Sequence, residues 1–227
     1  MTINRNPPIH CYYALLFLLA SGFSPLALAL EPNTDSDYDN DEGFYYEDAF
    51  SDDEYSDTRP FFSVEALLGG ETLEHVEFEN GESDSIRAGS GVYIALGFTH
   101  RMFEKKMDIG FKAGYLFDLI TAKNNAGEEN VLSFTRKPID IFSHYWVDRH
   151  SWGGGITVHL DPIFTSRETS HSARYHHAYG AYAEYQYQFT GTGSALGFKY
   201  LRINYRNKDN NEVSDGSAWG ITFNQLF

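Results

Sequence analysis

Cysteine is nearly absent from this 227-residue chain: Cys11 stands alone, so no internal disulfide can form. Beyond residue 30 there is also no long hydrophobic run. Nothing there approaches the ~20 consecutive apolar residues of a spanning helix, so a membrane crossing, if there is one, must be made by strands. Positive charge is scarce as well, with 17 Lys and Arg against 32 Asp and Glu for a formal net charge of −15. No basic patch is visible along the chain, and no nucleic-acid role is expected, since acidic segments repel phosphate. Aromatic residues, by contrast, are abundant at 16%.

The N-terminus reads as an export signal. Arg5 and His10 precede an apolar core from Tyr12 to about Phe23, Ser24 and Pro25 break it, and Ala27 and Ala29 supply the small residues of a cleavage site. Residues 1–29 are therefore expected to be a signal peptide, and the alternative of a membrane anchor suits so short an apolar core less well. Cys11 lies ahead of that core, which argues against a lipoprotein. Residues 30–59 follow as an acidic segment. Twelve carboxylates fall between Glu31 and Asp57 with no Lys or Arg, a composition that repels itself and predicts a disordered extension. Asp37, Asp39 and Asp41 have the spacing of the first ligands of a calcium loop. Glu42, however, stands where that loop needs Gly, and no amphipathic helices flank it, so no metal site is expected.

From residue 60 to 227 apolar residues recur at a period of two, the mark of strands with one greasy face. Phe62, Val64, Ala66 and Leu68 oppose Ser63 and Glu65; Val92, Ile94, Leu96 and Phe98 oppose Tyr93 and Gly97. Ile109 to Leu119 alternate with Asp108, Gly110, Lys112, Gly114 and Asp118. Ile139, Ile141 and Tyr145 oppose Asp140 and His144, a segment in which Phe142 and Trp146 break the pattern. Ile156 and Val158 oppose Thr157 and His159, and Tyr179 to Phe189 oppose Tyr182, Glu184 and Gln186. Leu196, Phe198 and Tyr200 oppose Lys199, after which the apolar residues switch to Leu201 and Ile203, as a bulge or a slip in the assigned register would produce. An eighth segment carries Trp219, Ile221, Phe223 and Phe227 on one face.

Short polar turns near residues 103–106, 148–151 and 190–193 alternate with longer connections at 79–90, 121–136, 161–175 and 206–216. Strict alternation of short and long is what an up-and-down barrel gives when its two ends face different compartments. The polar face is rich in Gly, which suits the narrow interior of eight strands and would only weaken a solvent-facing sheet. An all-β, eight-stranded antiparallel up-and-down transmembrane barrel is therefore expected, with the apolar faces outward. A soluble periplasmic ligand-binding barrel is the reading in which those faces turn inward. Charges inside must pair, so Glu65, Asp140 and Glu184 are expected to meet Lys112 and Lys199, with His144 and His159 nearby, in a lumen network. Side chains then fill the interior, and a wide channel of the general porin kind is disfavoured.

The strand count, the leader, the alternation of connections and the Trp219 to Phe227 ending together resemble the small outer-membrane barrels typified by the OmpA transmembrane domain and the OmpX-like proteins. The final segment resembles their C-terminal assembly signal, carried here by Trp219, Ile221, Phe223 and Phe227. The resemblance implies an integral protein of a Gram-negative outer membrane, monomeric by default. Its implied partners are membrane lipids and lipopolysaccharide, and periplasmic chaperones and the barrel-insertion machinery during assembly. It also implies a non-enzymatic adhesive, structural or stress-related role, with no cofactor, four external loops and no catalytic residues. The alternative is a lipid-modifying or hydrolytic barrel enzyme. A deacylase resembling PagL would need a His-x-Ser pair, and neither His150 with Ser151 nor Ser170, His171 and Ser172 has that spacing. Asp140 and His144, four apart on one strand face, are the residues that could serve as an acid/base pair. His171, His176 and His177 cluster, but adjacent strand residues point to opposite faces, so they are expected to be solvated rather than metal-binding.

Overall fold

The structure is a computed structural model that describes residues 58–77, 83–103, 105–123, 129–166 and 171–227. The expected signal peptide and nearly all of the acidic segment lie outside the described residues. The strands run β1 (Thr58–Gly69), β2 (Thr72–Glu77), β3 (Ser83–Arg87), β4 (Gly91–Met102), β5 (Met107–Lys123), β6 (Glu129–Val147), β7 (His150–Ser166), β8 (His171–Arg174), β9 (Ala178–Gln188), β10 (Ser194–Arg206), β11 (Val213–Asp215) and β12 (Ala218–Leu226).

Eight of them close on themselves. β1 pairs antiparallel with β4 on one side, Phe62 opposite Leu96, and with β12 on the other, Val64 opposite Phe223. The circuit continues through β5, β6, β7, β9 and β10 back to β12, every pair antiparallel. No barrel strand is left with an open edge, so the ladder satisfies its own backbone donors and acceptors. The expected eight-stranded closed antiparallel barrel is thus the fold. β2 and β3 form a separate hairpin, while β8 extends the wall beside β7 and β11 beside β10.

The tight turns fall where the sequence places them, with Phe103, Lys105, Asp148, Gly191 and Gly193 at positive φ. The opposite end differs from expectation. The sequence pattern predicts a loop over residues 121–136, yet β5 continues to Lys123 and β6 already begins at Glu129. Much of 161–175 is likewise strand, in β7 and β8.

The reason is a reversal of faces along the barrel. Through the turn-end and middle sections, the outer surface is an apolar belt: Leu96 is 66% exposed, Ile156 64% and Ile221 57%. The same strands turn Ser63, Glu65, Lys112, Asp140, Glu184, Lys199 and Thr222 inward, all buried. Near the loop end the sense inverts. Leu132, Phe134, Phe164, Ile203 and Tyr205 point inward and are buried, while Arg202, Asn204 and Arg206 point outward. Phe134 packs edge-on against Tyr205 at 5.3 Å and Tyr175 at 5.6 Å, closing the lumen with an apolar plug.

Two expected irregularities are not present. Phe142 and Trp146 do not break the alternation of β6: both are inward and buried, because aromatic rings serve as lumen filler beside the glycines of neighbouring strands. A Cβ on Gly110 would lie 2.5 Å from Cζ of Phe142. Nor is there a bulge after Tyr200, since β10 alternates without interruption to Arg206. Its apolar residues change face because the lumen changes from polar to apolar. Within the barrel wall, a bulge lies between β6 and β7. Thr135 pairs with Ile163 but Lys137 with Leu160, leaving Asp161 and Pro162 opposite Arg136. Asp161 takes φ 45°, and the inward series passes from Thr157 and His159 to Pro162 and Phe164.

Trp219 and Ile221 point outward on β12 and are exposed, with Phe223 half-buried on the same face. Phe227 follows the strand, exposed, and its backbone N–H donates to the Pro60 carbonyl at 3.1 Å.

Candidate functional site

The polar lumen is assembled by register. Lys112 on β5 stands directly opposite Asp140 on β6, and Lys199 on β10 opposite Glu184 on β9, so opposite charges face each other across neighbouring strands. Glu65 on β1 lies between Tyr93 of β4 and Thr222 of β12. Lys112 must reach over β4 to meet it. The residue opposite Lys112 there is Gly97, where a Cβ would come within 2.8 Å of the Lys112 Cβ and 2.7 Å of the Phe61 ring.

Glu65 accepts from both ammonium groups, from Lys112 at Oε1 and from Lys199 at Oε2, the latter at 2.9 Å. Asp140 Oδ2 completes the cluster at 3.9 Å from Lys112 and 3.7 Å from Lys199. The remaining carboxylate, Glu184, accepts from the Thr222 hydroxyl at 2.6 Å and lies 3.6 Å from Nε2 of His144. Lys199 also sits over the Tyr182 ring at 3.8 Å. These side chains are almost wholly buried, so each charge depends on these partners rather than on bulk water.

Six of the seven anticipated lumen residues are gathered in this way. His159 stands apart from the ion pairs, its Nδ1 2.7 Å from the Tyr205 hydroxyl beneath the apolar plug. Asp140 and His144 are not each other's partners: the first faces two ammonium groups, the second Glu184 and Gln186. No hydroxyl or thiol is hydrogen-bonded to His144 among the described residues.

Sequence reasoning put Asp108 on the inward face but left the residues above and below the cluster out of the network. Toward the turn end, Asp108 accepts from Arg101 Nε at 2.9 Å and from the Trp146 indole at 2.7 Å. Toward the loop end, Arg136 donates to the carbonyls of Ala88 and Ser90, each at 2.6 Å, and its guanidinium lies over the Phe134 ring at 4.3 Å. Extending the even-numbered inward series of β6 from Asp140 back through Pro138 would have found Arg136. Its neighbourhood reads as loop in sequence, which hides it.

A cavity of about 40 Å³ remains on the turn-end side, lined by Asp108, Lys112, Phe142, His144, Glu184 and Asn224 among others. That is room for roughly two or three water molecules. Thr99 Oγ1 and Asn224 Oδ1, both on its lining, have no hydrogen-bond partner in the protein and would hydrogen-bond such water. The arrangement holds charge and binds strands together. Among the described residues no three His, Cys, Asp or Glu side chains are gathered as a metal site. His176 and His177 are exposed, and His177 Nδ1 accepts from the Asp161 backbone N–H at 3.4 Å.

No protein-family model matches the chain, and no curated protein matches it. Among solved structures it is similar to the outer membrane protein OprG from Pseudomonas aeruginosa, at 12% identity and a TM-score of 0.36, over 74% of this chain and 96% of that one. A likeness of that level adds nothing to what the strand pairing already gives.

Proposed function

We propose that this chain is an integral β-barrel protein of a Gram-negative outer membrane, non-enzymatic, that holds its loop end at the cell surface for adhesion or envelope maintenance. The observation that carries this reading is the inside-out distribution of polarity. Leu96, Ile156 and Ile221 project from the middle of the wall while Glu65, Lys112, Asp140 and Lys199 lie buried within it. In water such a wall would expose a continuous apolar surface, whereas in hydrocarbon it is the stable sense. Trp152, Tyr185, Trp219 and Phe189 among the outward residues fit the aromatic girdles of such barrels.

The packed lumen and the Phe134–Tyr205 plug favour a closed scaffold over a diffusion pore. The outward face of β12, with Trp219, Ile221 and Phe223, and Phe227 after it, is the segment that chaperones and the insertion machinery would read during assembly. The test is envelope fractionation followed by electrophoresis of unheated and boiled samples. Outer-membrane recovery with a mobility change on boiling is expected; a soluble periplasmic protein whose mobility heat leaves unchanged would refute the reading.

A further inference from the structure

The chain shows no run of basic residues, yet the fold builds a basic pocket from three distant segments. A cavity of about 250 Å³ opens on the loop-end side of the wall, lined by Lys137, Arg174 and Lys208, with Asp161, Pro162 and Ile163. Lys137 belongs to β6, Arg174 to β8, and Lys208 follows β10, joined to Arg174 by its own N–H donating to the Arg174 carbonyl at 2.9 Å. The bulge at Asp161 and Pro162 shapes the floor.

Three cations line this pocket and one carboxylate. Asp161 lies 3.3 Å from the Lys137 ammonium, while neither Arg174 nor Lys208 has an acidic side-chain partner among the described residues. Like charges gathered with so little compensation repel one another until an anion arrives. The pocket is far larger than the ~10–15 Å³ of such space that one water molecule needs. A planar guanidinium beside two ammonium groups suits a tetrahedral oxyanion, with Arg able to bind two oxygens at once. Its position names the source of that anion. Lys137 comes two residues from Ile139 on the outer face of β6, and Asp161 follows Leu160, so the pocket begins where the apolar belt stops. That margin is the depth at which lipid headgroups carry their phosphates.

We propose that Lys137, Arg174 and Lys208 form a phosphate-binding site on the outer wall of the barrel, and that its ligand is the phosphorylated headgroup of a lipid in the surrounding leaflet. The lipid source rests on the membrane reading above; the phosphate site does not.

The experiment uses the full chain in detergent, with native mass spectrometry as the readout and three probes: a bis-phosphorylated glucosamine-disaccharide lipid, the same lipid stripped of phosphate, and inorganic phosphate. Each surface cation contributes about fivefold in affinity for an anionic headgroup, so the phosphorylated lipid is expected to bind on the order of a hundredfold tighter than the stripped one. The combined variant Lys137→Gln, Arg174→Gln, Lys208→Gln erases that preference while the mobility change on boiling persists. Asp161→Asn, which keeps a side chain tolerant of the positive φ, strengthens it about fivefold. A preference that survives in the triple variant overturns the proposal, as does failure of wild type to distinguish the two lipids or to bind phosphate. Full competition by equimolar inorganic phosphate keeps the site and reassigns its ligand to free phosphate. Phosphate binding through the same three residues, in a chain whose mobility does not change on boiling, keeps the site and removes only the membrane placement.

Discussion

The Lys199 ammonium donates to Glu65 Oε2 at 2.9 Å across 134 positions of sequence, joining β10 to β1 over the intervening β12. The contact crosses the seam at which the first and last barrel strands meet. Because Lys112 reaches the other oxygen of the same carboxylate, Glu65 neutralises charge from both directions around the ring.

Removing that carboxylate strands two buried ammonium groups. Glu65→Ala should cost about 3–5 kcal/mol, the range for breaking a buried pair by deleting one partner. Glu65→Gln should cost less, because the amide oxygen still accepts one hydrogen bond. Urea unfolding from vesicles, followed by tryptophan fluorescence, reads both variants. A loss below ~1 kcal/mol for Glu65→Ala would mean the cluster is solvated and does not hold the seam.

The apolar belt makes a depth-dependent prediction. Ile221→Arg, at the middle of the outer face of β12, should destabilise the inserted protein by about 2–4 kcal/mol, whereas Asn204→Arg, beyond the belt on β10, should cost about 0–1. Equal penalties in a lipid-refolding titration would show that the belt does not meet hydrocarbon.

Gly110 and Phe142 test how tightly the lumen is filled. A methyl at Gly110 meets the Phe142 ring and the Phe98 carbonyl, so Gly110→Ala should cost about 1–3 kcal/mol by overpacking. With Phe142→Ala the same methyl finds space on the ring side, and the two changes should sum to less than their separate costs in a double-mutant cycle. Strict additivity would place the ring elsewhere.

Arg136 anchors the chain ahead of β4 through two carbonyls. Arg136→Met keeps an unbranched stem but removes charged donors from Ala88 and Ser90, bonds worth roughly 1.5–3 kcal/mol each. Amide exchange should accelerate around residues 86–92 and leave the turn end unaffected. Exchange that accelerates evenly around the barrel would mean Arg136 supports the whole fold instead.

At the corner before β12, the Ser217 hydroxyl and its backbone N–H hold the Asp215 carboxylate below its ordinary value of 3.8, the backbone bond measuring 2.9 Å. A depressed folded pKa means the stabilisation is present above the unfolded value and disappears as pH falls through the folded one. Protection of the Ser217 amide should therefore fall in acid below about pH 4. Asp215→Asn should remove that dependence, and a variant that still titrates there would assign the effect to another group.

Alternation alone was enough for the eight strands and for the inward placement of Glu65, Lys112, Asp140, Glu184 and Lys199, because period two links sequence parity to a face. It misled wherever the surroundings of a face changed. Leu201 and Ile203 look like a slipped register only if the lumen is taken to be polar throughout, and Phe142 and Trp146 look like errors only if aromatics are reserved for the outside. Arg136 and the Asp161 bulge were hidden by the same rule, since polar outward residues beyond Pro138 read as loop. The basic pocket is invisible in sequence for a different reason. Lys137, Arg174 and Lys208 come together only after β6, β7, β8 and β10 have been laid side by side.

The reversal of faces does not occur at one height around the wall. On β5 the outward apolar series runs from Ile109 to Leu119, about 34 Å of strand at ~3.4 Å per residue and roughly 24 Å upright at a tilt near 45°. On β10 it runs only from Leu196 to Tyr200, about 14 Å of strand, before Arg202 intervenes. On the membrane reading, a bilayer around such a wall would keep its full thickness beside β5 and would have to thin beside β10, where Arg202 follows Tyr200 on the outer face.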